Sequence, residues 1–161
     1  MANDRHGQDD GVWLYCSNSA IRRAARRLGQ LYDGAMESTG LKGTQFSLMT
    51  QIRRAAEPTL KELAEAMVMD LSALGHTLKP LIRDGLVELF PDPRDRRAKR
   101  VRLTPEGLAR QQEMLGLWQQ AQDRFDAALG TEQSQELRRT LAFISSQEFA
   151  DSFRHPEARE T

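Results

Sequence analysis

Basic side chains are concentrated in one short part of the sequence, between His76 and Leu103. This stretch contains eight cations and four acids, a net charge of +4, whereas the 161-residue chain as a whole has 23 of each. The cations are Lys79, Arg83, Arg94, Arg96, Arg97, Lys99, Arg100 and Arg102. Such clustering is typical of a surface that binds the phosphates of a nucleic acid. A solvated basic face is the alternative interpretation, because charge runs are often no more than that.

The first of these cations fall in a predicted helix-turn-helix. Thr59-Leu-Lys-Glu62 is typical of a capping box, in which Thr and Glu satisfy free N–H groups at the start of a helix. After the short segment Met67–Asp70, Asp70 can cap a second helix that stops at Gly85. Two short helices joined by so tight a turn allow the second one to enter the major groove of a duplex.

The second helix has an apolar and a polar face. Apolar residues at helical spacing are predicted to face the core, namely Leu74, Leu78, Leu81 and Ile82. A step of about 100° per residue then places Ser72, His76, Lys79 and Arg83 on the other face, flanked by Ala73, Gly75 and Thr77. Small residues permit close approach to the bases, and polar ones can donate to base edges or phosphates. For His76 the alternative is an ordinary exposed histidine.

A hairpin with a charged loop follows this helix. Leu86–Phe90 and Lys99–Leu103 have the composition and length of strands, and Pro91–Arg97 connects them. Arg94, Arg96 and Arg97 in this loop could place a guanidinium in the minor groove, where the potential is most negative. Asp95 lies among these cations, and we expect it to pair with a neighbouring arginine and hold the shape of the loop.

Helical patterns precede the helix-turn-helix. Apolar residues at spacings of three and four predict one amphipathic helix from Val12 to Met36. Thr44 is predicted to cap a second helix, which ends before Glu57-Pro58.

Helical patterns also follow the hairpin. Thr104-Pro105 opens a helix that ends at Gly130, because a hydroxyl suits the cap and proline suits the first turn. Thr131 is predicted to cap one last helix, which bears Leu137, Leu141, Ile144 and Phe149. The end helices carry more apolar surface than a small domain could cover, which predicts a helical contact with another chain.

The composition excludes several classes of protein. At 39% hydrophobic and 29% charged residues, the sequence is that of an ordinary globular domain, and a single cysteine, Cys16, forms no internal disulfide. We expect a reducing, cytoplasmic location and no membrane association, since no apolar run approaches about 20 residues and the first residues are not those of a signal peptide. His6, His76 and His155 are scattered, and no metal, cofactor or catalytic motif is present, so no enzyme is expected.

From Leu60 to Gly107 the sequence reads LKELAEAMVMDLSALGHTLKPLIRDGLVELFPDPRDRRAKRVRLTPEG. The succession of LAE, MD-S-L, GLV, D-x-R-D-R-R and LT-x-x-G resembles that of the MarR family of bacterial transcriptional regulators. The upstream segment GLKGTQFSLM is also similar to the family, and the resemblance extends roughly from Val12 to Phe149.

The resemblance implies a mainly α fold with a small β-hairpin wing. It implies a domain over 12–153, with a winged helix-turn-helix lobe over 44–104 and dimerisation helices over 12–37 and 105–153; residues 1–11 and 154–161 are expected to be tails. A homodimer would bind double-stranded DNA at a pseudo-palindromic operator, with repression as the usual outcome. By position, Arg97 matches the wing arginine that enters the minor groove, and Asp95 its supporting acid.

The resemblance also implies an effector that releases the DNA. Family members often bind small aromatic anions between the dimer helices and the DNA-binding lobe, where Tyr15, Tyr32, Phe46, Met49 and Trp118 are the candidate lining residues. Ordinary core or interface packing is the alternative for each of them. Cys16 resembles the sensor position of the hydroperoxide-sensing branch, with inert packing as its alternative. A helical dimer that binds a protein partner without DNA is the remaining rival interpretation.

Overall fold

The helices and strands of the computed structural model follow the predicted order. The model describes residue 11 and residues 14–155, so most of the two expected tails lies outside the described residues. The elements are α1 (Ser17–Ala35), a 3₁₀ turn (Glu37–Thr39), α2 (Gly43–Ala55), α3 (Leu60–Ala66), α4 (Leu71–Arg83), β1 (Val87–Pro91), β2 (Lys99–Leu103), α5 (Pro105–Leu129), α6 (Thr131–Ile144) and α7 (Gln147–Arg154). The prediction of a mainly helical fold with one antiparallel hairpin is confirmed.

The predicted caps of the helix-turn-helix form as the local sequence requires. Thr59 and Glu62 make a reciprocal capping box at the start of α3, with N–H to oxygen distances of 2.7 and 3.1 Å. Asp70 Oδ1 accepts a hydrogen bond from the backbone N–H of Ala73 at 2.7 Å and caps α4. Gly85 has a φ of 69° just after α4, a conformation that suits glycine and ends the helix.

Two predicted caps are wrong. The cap of α2 is Lys42 rather than Thr44, and the free N–H of Gly43 donates to Asp33 Oδ1 of α1 at 2.8 Å. Thr131 is the first residue of α6, and Gly130 occupies the cap position. In both places the cap position comes before the threonine that was predicted to occupy it, so the threonine is itself a residue of the helix.

Two predicted long helices are divided. The first is interrupted at Cys16, whose Sγ accepts from the N–H of Ser19 at 3.4 Å, so α1 begins at Ser17; Val12 and Trp13 lie outside the described residues. The last breaks between α6 and α7, where Ser146 Oγ caps the new helix by accepting from the N–H of Phe149 at 3.1 Å. Serine side chains can bond to nearby backbone N–H groups and so interrupt a helix. The spacing of the apolar residues does not predict this interruption.

One hydrophobic core holds the helix-turn-helix against α2, the hairpin and α5. Each element contributes fully or almost fully buried residues, among them Leu48, Met49, Ile52, Leu63, Leu74, Leu78, Leu81, Val87, Val101 and Met114. The three leucines of α4 face this core as predicted. Ile82 does not, because its side chain is 38% exposed.

The hairpin is joined to the start of α3. Val87 pairs with Leu103 and Pro91 with Lys99 in the antiparallel register. The N–H of Val101 donates to Pro58 O at 3.0 Å, and Thr59 forms a bridge to Arg100. The wing therefore has a fixed attachment next to the helix-turn-helix, from which its loop extends.

Candidate nucleic-acid interface

The outer face of α4 carries the predicted polar residues. The side chains of Ser72, His76, Lys79 and Arg83 are exposed, while Ala73 is half-buried. With the three leucines of α4 in the core, this face is open for contact with a groove of DNA.

Thr77 and Arg83 differ from the other candidates on α4. The Thr77 hydroxyl donates to the carbonyl of Ala73 at 3.1 Å, and the residue is half-buried at the wall of a cavity. The Arg83 guanidinium forms two hydrogen bonds with Asp84, at 2.8 and 3.2 Å, and it lowers the pKa of the Asp84 carboxyl. Ser72, His76 and Lys79 are therefore the residues of α4 best placed for direct contact with DNA.

Asp92 organises the wing loop from within. Its side chain is only 5% exposed and accepts from the backbone N–H groups of Arg94 at 2.7 Å and Asp95 at 3.3 Å. Arg100 Nε donates to the other carboxylate oxygen at 2.6 Å, and a second nitrogen of Arg100 donates to the carbonyl of Glu57 at 2.6 Å. The Arg94 N–H and the Arg100 guanidinium hold the pKa of Asp92 below its usual range.

Asp95 supports the loop differently from the prediction. Its Oδ1 accepts from the backbone N–H of Arg97 at 2.9 Å, so it holds the loop through the main chain and not through an arginine side chain. The prediction that Asp95 pairs with an arginine side chain is wrong, and the aspartate of the loop that forms such a pair is Asp92, with Arg100. The signal that could have found Asp92 is its position before a Pro-x-Asp turn, where an aspartate accepts backbone N–H groups.

The three arginines at the end of the wing are exposed. Within the described part of the chain, the guanidinium groups of Arg94, Arg96 and Arg97 have no hydrogen-bonded or ionic partner. Arg102, further along the hairpin, is paired with Glu88 at 2.7 Å and lies over the ring of Phe90. The wing-loop arginines are thus available to bind phosphates or a minor groove. Arg100 and Arg102 instead make ion pairs and hydrogen bonds within the wing and to the segment before α3.

An open groove, which we call the helix–wing groove, separates α4 from the wing. It encloses about 660 Å³ and is lined by Thr59, Leu60, Lys61, Glu62, Leu71, Leu74, Gly75, Leu78, Asp92, Arg94, Asp95, Arg97, Ala98, Lys99 and Arg100. Two of the three wing-loop arginines, Arg94 and Arg97, contribute to its wall. The sequence analysis did not predict this groove, because its two sides come from separate elements.

A second cavity, which we call the helical cavity, lies between the long helices and the helix-turn-helix. It has a volume of about 690 Å³, and Tyr32, Phe46 and Trp118 of the predicted effector residues line it. The rings of Phe46 and Trp118 are 6.3 Å apart. Met67, Met69 and Thr77 also line it, so this cavity reaches both the turn before α4 and α4 itself.

The other three predicted effector residues lie elsewhere. Met49 is fully buried in the core and does not line the helical cavity, and Tyr15 is 85% exposed. Cys16 is half-buried at the start of α1. Tyr15 and Met49, which the sequence analysis expected beside Tyr32, are thus not among the residues that line the helical cavity, and Cys16 remains a separate candidate for redox sensing.

A hydrogen-bonded chain lies at one end of the helical cavity. Tyr32 Oη donates to Gln122 Oε1 at 3.0 Å, and Gln122 Nε2 donates to Asp126 Oδ1 at 3.0 Å. Arg138 donates to the same carboxylate oxygen at 3.1 Å. Burial, and then the charge of Asp126, raise the pKa of Tyr32.

Neither a metal site nor a membrane-spanning helix is found in residues 11 and 14–155. No group of three or more His, Cys, Asp or Glu side chains in this part of the chain is arranged to hold a metal ion. No helix within it combines the length and the apolar character that crossing a membrane requires.

Comparison with known proteins agrees with this geometry. Residues 41–99 match the model of the MarR family. The multiple antibiotic resistance protein MarR of Salmonella typhimurium is 35% identical over 80 residues, which is 50% of this chain and 56% of that protein. The matched part thus spans little more than half the length of this curated relative.

Solved structures cover more of the chain. The transcriptional regulator MosR of M. tuberculosis in complex with DNA is 35% identical with a TM-score of 0.76, over 86% of this chain and 98% of that one. A mutant MarR of E. coli complexed with operator DNA is 25% identical with a TM-score of 0.74, over 83% and 96% of the two chains. Since the helix-turn-helix matches the family model and the whole fold matches relatives of this identity, the chain belongs to the MarR family of transcriptional regulators.

Proposed function

We propose that this protein is a repressor that binds a pseudo-palindromic operator in double-stranded DNA as a homodimer. The observation that carries the proposal is the exposed face of α4 beside an anchored wing whose Arg94, Arg96 and Arg97 have no partner among the described residues. Such groups suit the edges of bases in the major groove and the negative potential of the minor groove. Two relatives in the comparison were solved with DNA bound, which supports the same interpretation.

The charge distribution favours phosphate contacts over a protein partner. The segment from His76 to Leu103 carries a net charge of +4 in a neutral chain, and three of its cations without a partner among the described residues lie on the wing loop. Neutralising several phosphates releases counterions, so affinity for DNA falls steeply with salt. If the protein did not bind duplex DNA, or if its binding did not depend on salt concentration, the rival interpretation as a protein-interaction module would be favoured instead.

The test is operator binding by wild type and an Arg97→Ala variant. For operator duplex selected from a random library, we expect the variant to lose roughly ten- to a hundredfold in affinity per half-site, the cost of losing one hydrogen bond from a charged group. Arg124→Ala is the matched control, because it removes one exposed arginine from α5, outside the wing and helix-turn-helix. Fluorescence anisotropy over a range of salt concentrations measures both. Equal affinity of Arg97→Ala and Arg124→Ala would contradict the role of the wing.

Apolar surface that one chain leaves open supports the proposed homodimer. Leu14, Ile21, Leu31, Leu129, Leu141, Phe143 and Phe153 are exposed large apolar residues on or next to the terminal helices. A monomer rarely exposes so many. A two-fold dimer built on these helices would set two copies of α4 about 34 Å apart, one turn of DNA.

We assign release of DNA to a small aromatic effector in the helical cavity. Its volume and its wall of Tyr32, Phe46 and Trp118 suit one aromatic ring system. Because Met69 and Thr77 belong to the same wall, a ligand there can favour one orientation of α4 over another. Salicylate is the probe: we expect it to weaken operator binding by wild type, and not by Trp118→Ala. Identical release from both proteins would contradict this assignment.

Oxidation of Cys16 is the second candidate trigger. The observation that favours it is the position of the sulfur at the start of α1, where it accepts the N–H of Ser19. Thiols at helix N-termini are among those that react with oxidants. Cys16→Ser retains an oxygen acceptor for that N–H and removes the thiol. Peroxide that releases DNA from wild type and equally from Cys16→Ser would exclude the cysteine as sensor.

A further inference from the structure

Leu71 is an exposed apolar side chain at the start of α4, next to the exposed polar residues of that helix. It is the first residue of α4, and 59% of it is exposed. It lies on the wall of the helix–wing groove together with Arg94 and Arg97. Because burying exposed apolar surface is favourable, Leu71 would gain from contact with an apolar group outside the described chain.

Space for such a partner exists beside Leu71. Gly75 follows one helical turn later on the same wall, and, apart from its two chain neighbours and the adjacent helix backbone, no protein atom lies within 4 Å of the place where a Cβ would be built on it. A group about the size of a methyl can therefore reach Leu71 without displacing any side chain of the protein.

The major groove presents one apolar group, the C5 methyl of thymine. The N-terminal residues of a recognition helix are those that meet base edges, and Leu71 opens α4. We infer that Leu71 packs against a thymine methyl in each half-site and so makes the operator thymine-specific at one position. This inference rests on the proposed function, since it assumes that α4 enters the groove.

Other exposed aliphatic residues of the lobe fit this role less well. Ile82 lies on the same side of α4 but eleven residues later, about 16 Å further along the axis, where the helix has left the base edges. Val68 is in the turn before α4, at a φ of 53°. Leu89 belongs to β1 of the wing. Leu71 alone among these four opens the recognition helix.

The test removes the methyl from the DNA. Purified protein first selects its operator from a random duplex library, and each symmetric pair of thymines is then replaced by deoxyuridine. For wild type we expect one pair whose replacement weakens binding about fifteenfold, or about fourfold per half-site, the value of one buried methyl-sized group. Leu71→Ala should bind the thymine and deoxyuridine duplexes equally at that pair.

Two control variants complete the experiment. Leu71→Met keeps an apolar side chain and should retain a penalty for deoxyuridine, and Ile82→Ala should behave as wild type. A penalty that persists in Leu71→Ala, or wild-type binding with no sensitive thymine, overturns the inference about Leu71 while leaving DNA binding intact. Failure of every protein to select any duplex overturns the proposed function instead. Thermal melting by circular dichroism checks that each variant is folded.

Discussion

Asp92 connects the charge of the wing to its shape. An almost buried carboxylate that accepts two backbone N–H groups and an arginine determines the path of the loop that presents Arg94, Arg96 and Arg97. These bonds are made to the ionised form, which is why the pKa of Asp92 is lowered. The presentation of the wing arginines thus depends on a residue that is itself almost completely buried.

Replacement of Asp92 should change the pH dependence of stability. A group whose pKa is lower in the folded state stabilises that state above its unfolded pKa of about 3.9, and this contribution is lost as pH falls through the folded value. We expect Asp92→Asn to unfold at lower urea concentration than wild type at pH 7, and the difference to shrink as the pH falls below about 4.

Urea unfolding followed by circular dichroism at several pH values measures this difference. Asp123→Asn is the control, because Asp123 is an exposed aspartate on α5 whose loss should alter stability little at any pH. A deficit of Asp92→Asn that stays constant from pH 7 to pH 3 would contradict the role of the ionised carboxylate.

At the scale of elements, α4 depends on its first turn. Asp70 caps the helix through the N–H of Ala73, and the capped turn carries Leu71 and Ser72 towards the solvent. We expect Asp70→Ala to lower the free energy of unfolding by about 1 kcal/mol, because an N–H group loses its partner. Asp70→Asn retains the acceptor and should remain within a few tenths of a kcal/mol of wild type. Chemical denaturation measures the free energy of unfolding of both variants. If both lose the same amount, the charge of Asp70, and not its side-chain acceptor, stabilises the helix.

The contact between α5 and the start of the wing leaves no room for an added side chain at Gly107. A Cβ built on Gly107 would lie 1.9 Å from the carbonyl oxygen of Leu86, a backbone atom that cannot move aside. We expect Gly107→Ala to destabilise the fold by at least about 1–3 kcal/mol, the usual cost of overpacking.

Gly116 provides the matched control on the same helix. Apart from its chain neighbours and the adjacent helix backbone, no atom lies within 4 Å of its Cβ position, so Gly116→Ala should be neutral or stabilise by up to about 1 kcal/mol through helix propensity. Thermal melts of the two alanine variants are compared directly. A Gly107→Ala protein as stable as Gly116→Ala would show that the α5–wing contact relaxes easily.

At the scale of the whole molecule, the terminal helices end in a row of aromatic rings. Phe143 and Phe149 meet edge to face at 5.4 Å, and Phe149 and Phe153 are 6.3 Å apart. Phe153 is 79% exposed and Phe143 is also exposed, so this row has an uncovered side. In the proposed homodimer, the partner chain covers it.

Phe153→Ser should therefore weaken the dimer without unfolding the chain. The side chain contributes little to the core of its own chain, whereas burying it in an interface is worth roughly 1.5–3 kcal/mol per copy. Sedimentation velocity over a range of concentrations should show a dissociation constant raised by at least tenfold. Val68→Ser removes a comparably exposed apolar residue from the helix-turn-helix and should leave the dimer unchanged. Loss of the dimer in both variants, or in neither, would contradict this assignment.

Local sequence determined the features that depend on residues within about one helical turn of each other. The capping box of Thr59 and Glu62, the cap of Asp70 and the stop at Gly85 involve bonds that close over two to four residues, so their residue types and spacing were sufficient. The inward leucines of α4 followed from helical periodicity for the same reason. These features, with the family motifs, predicted the fold and the face of α4 that bears the candidate contacts.

Tertiary structure alone decided which side chains meet across elements. Asp33 caps α2 from another helix, Asp92 rather than Asp95 pairs with an arginine, and Met49 enters the core while Tyr32 lines the cavity. Such choices depend on the angle and register at which whole elements pack, and a small rotation of a helix exchanges one candidate for its neighbour. Residue type and spacing do not predict the angle at which two elements pack, because that angle results from packing the complete core at once.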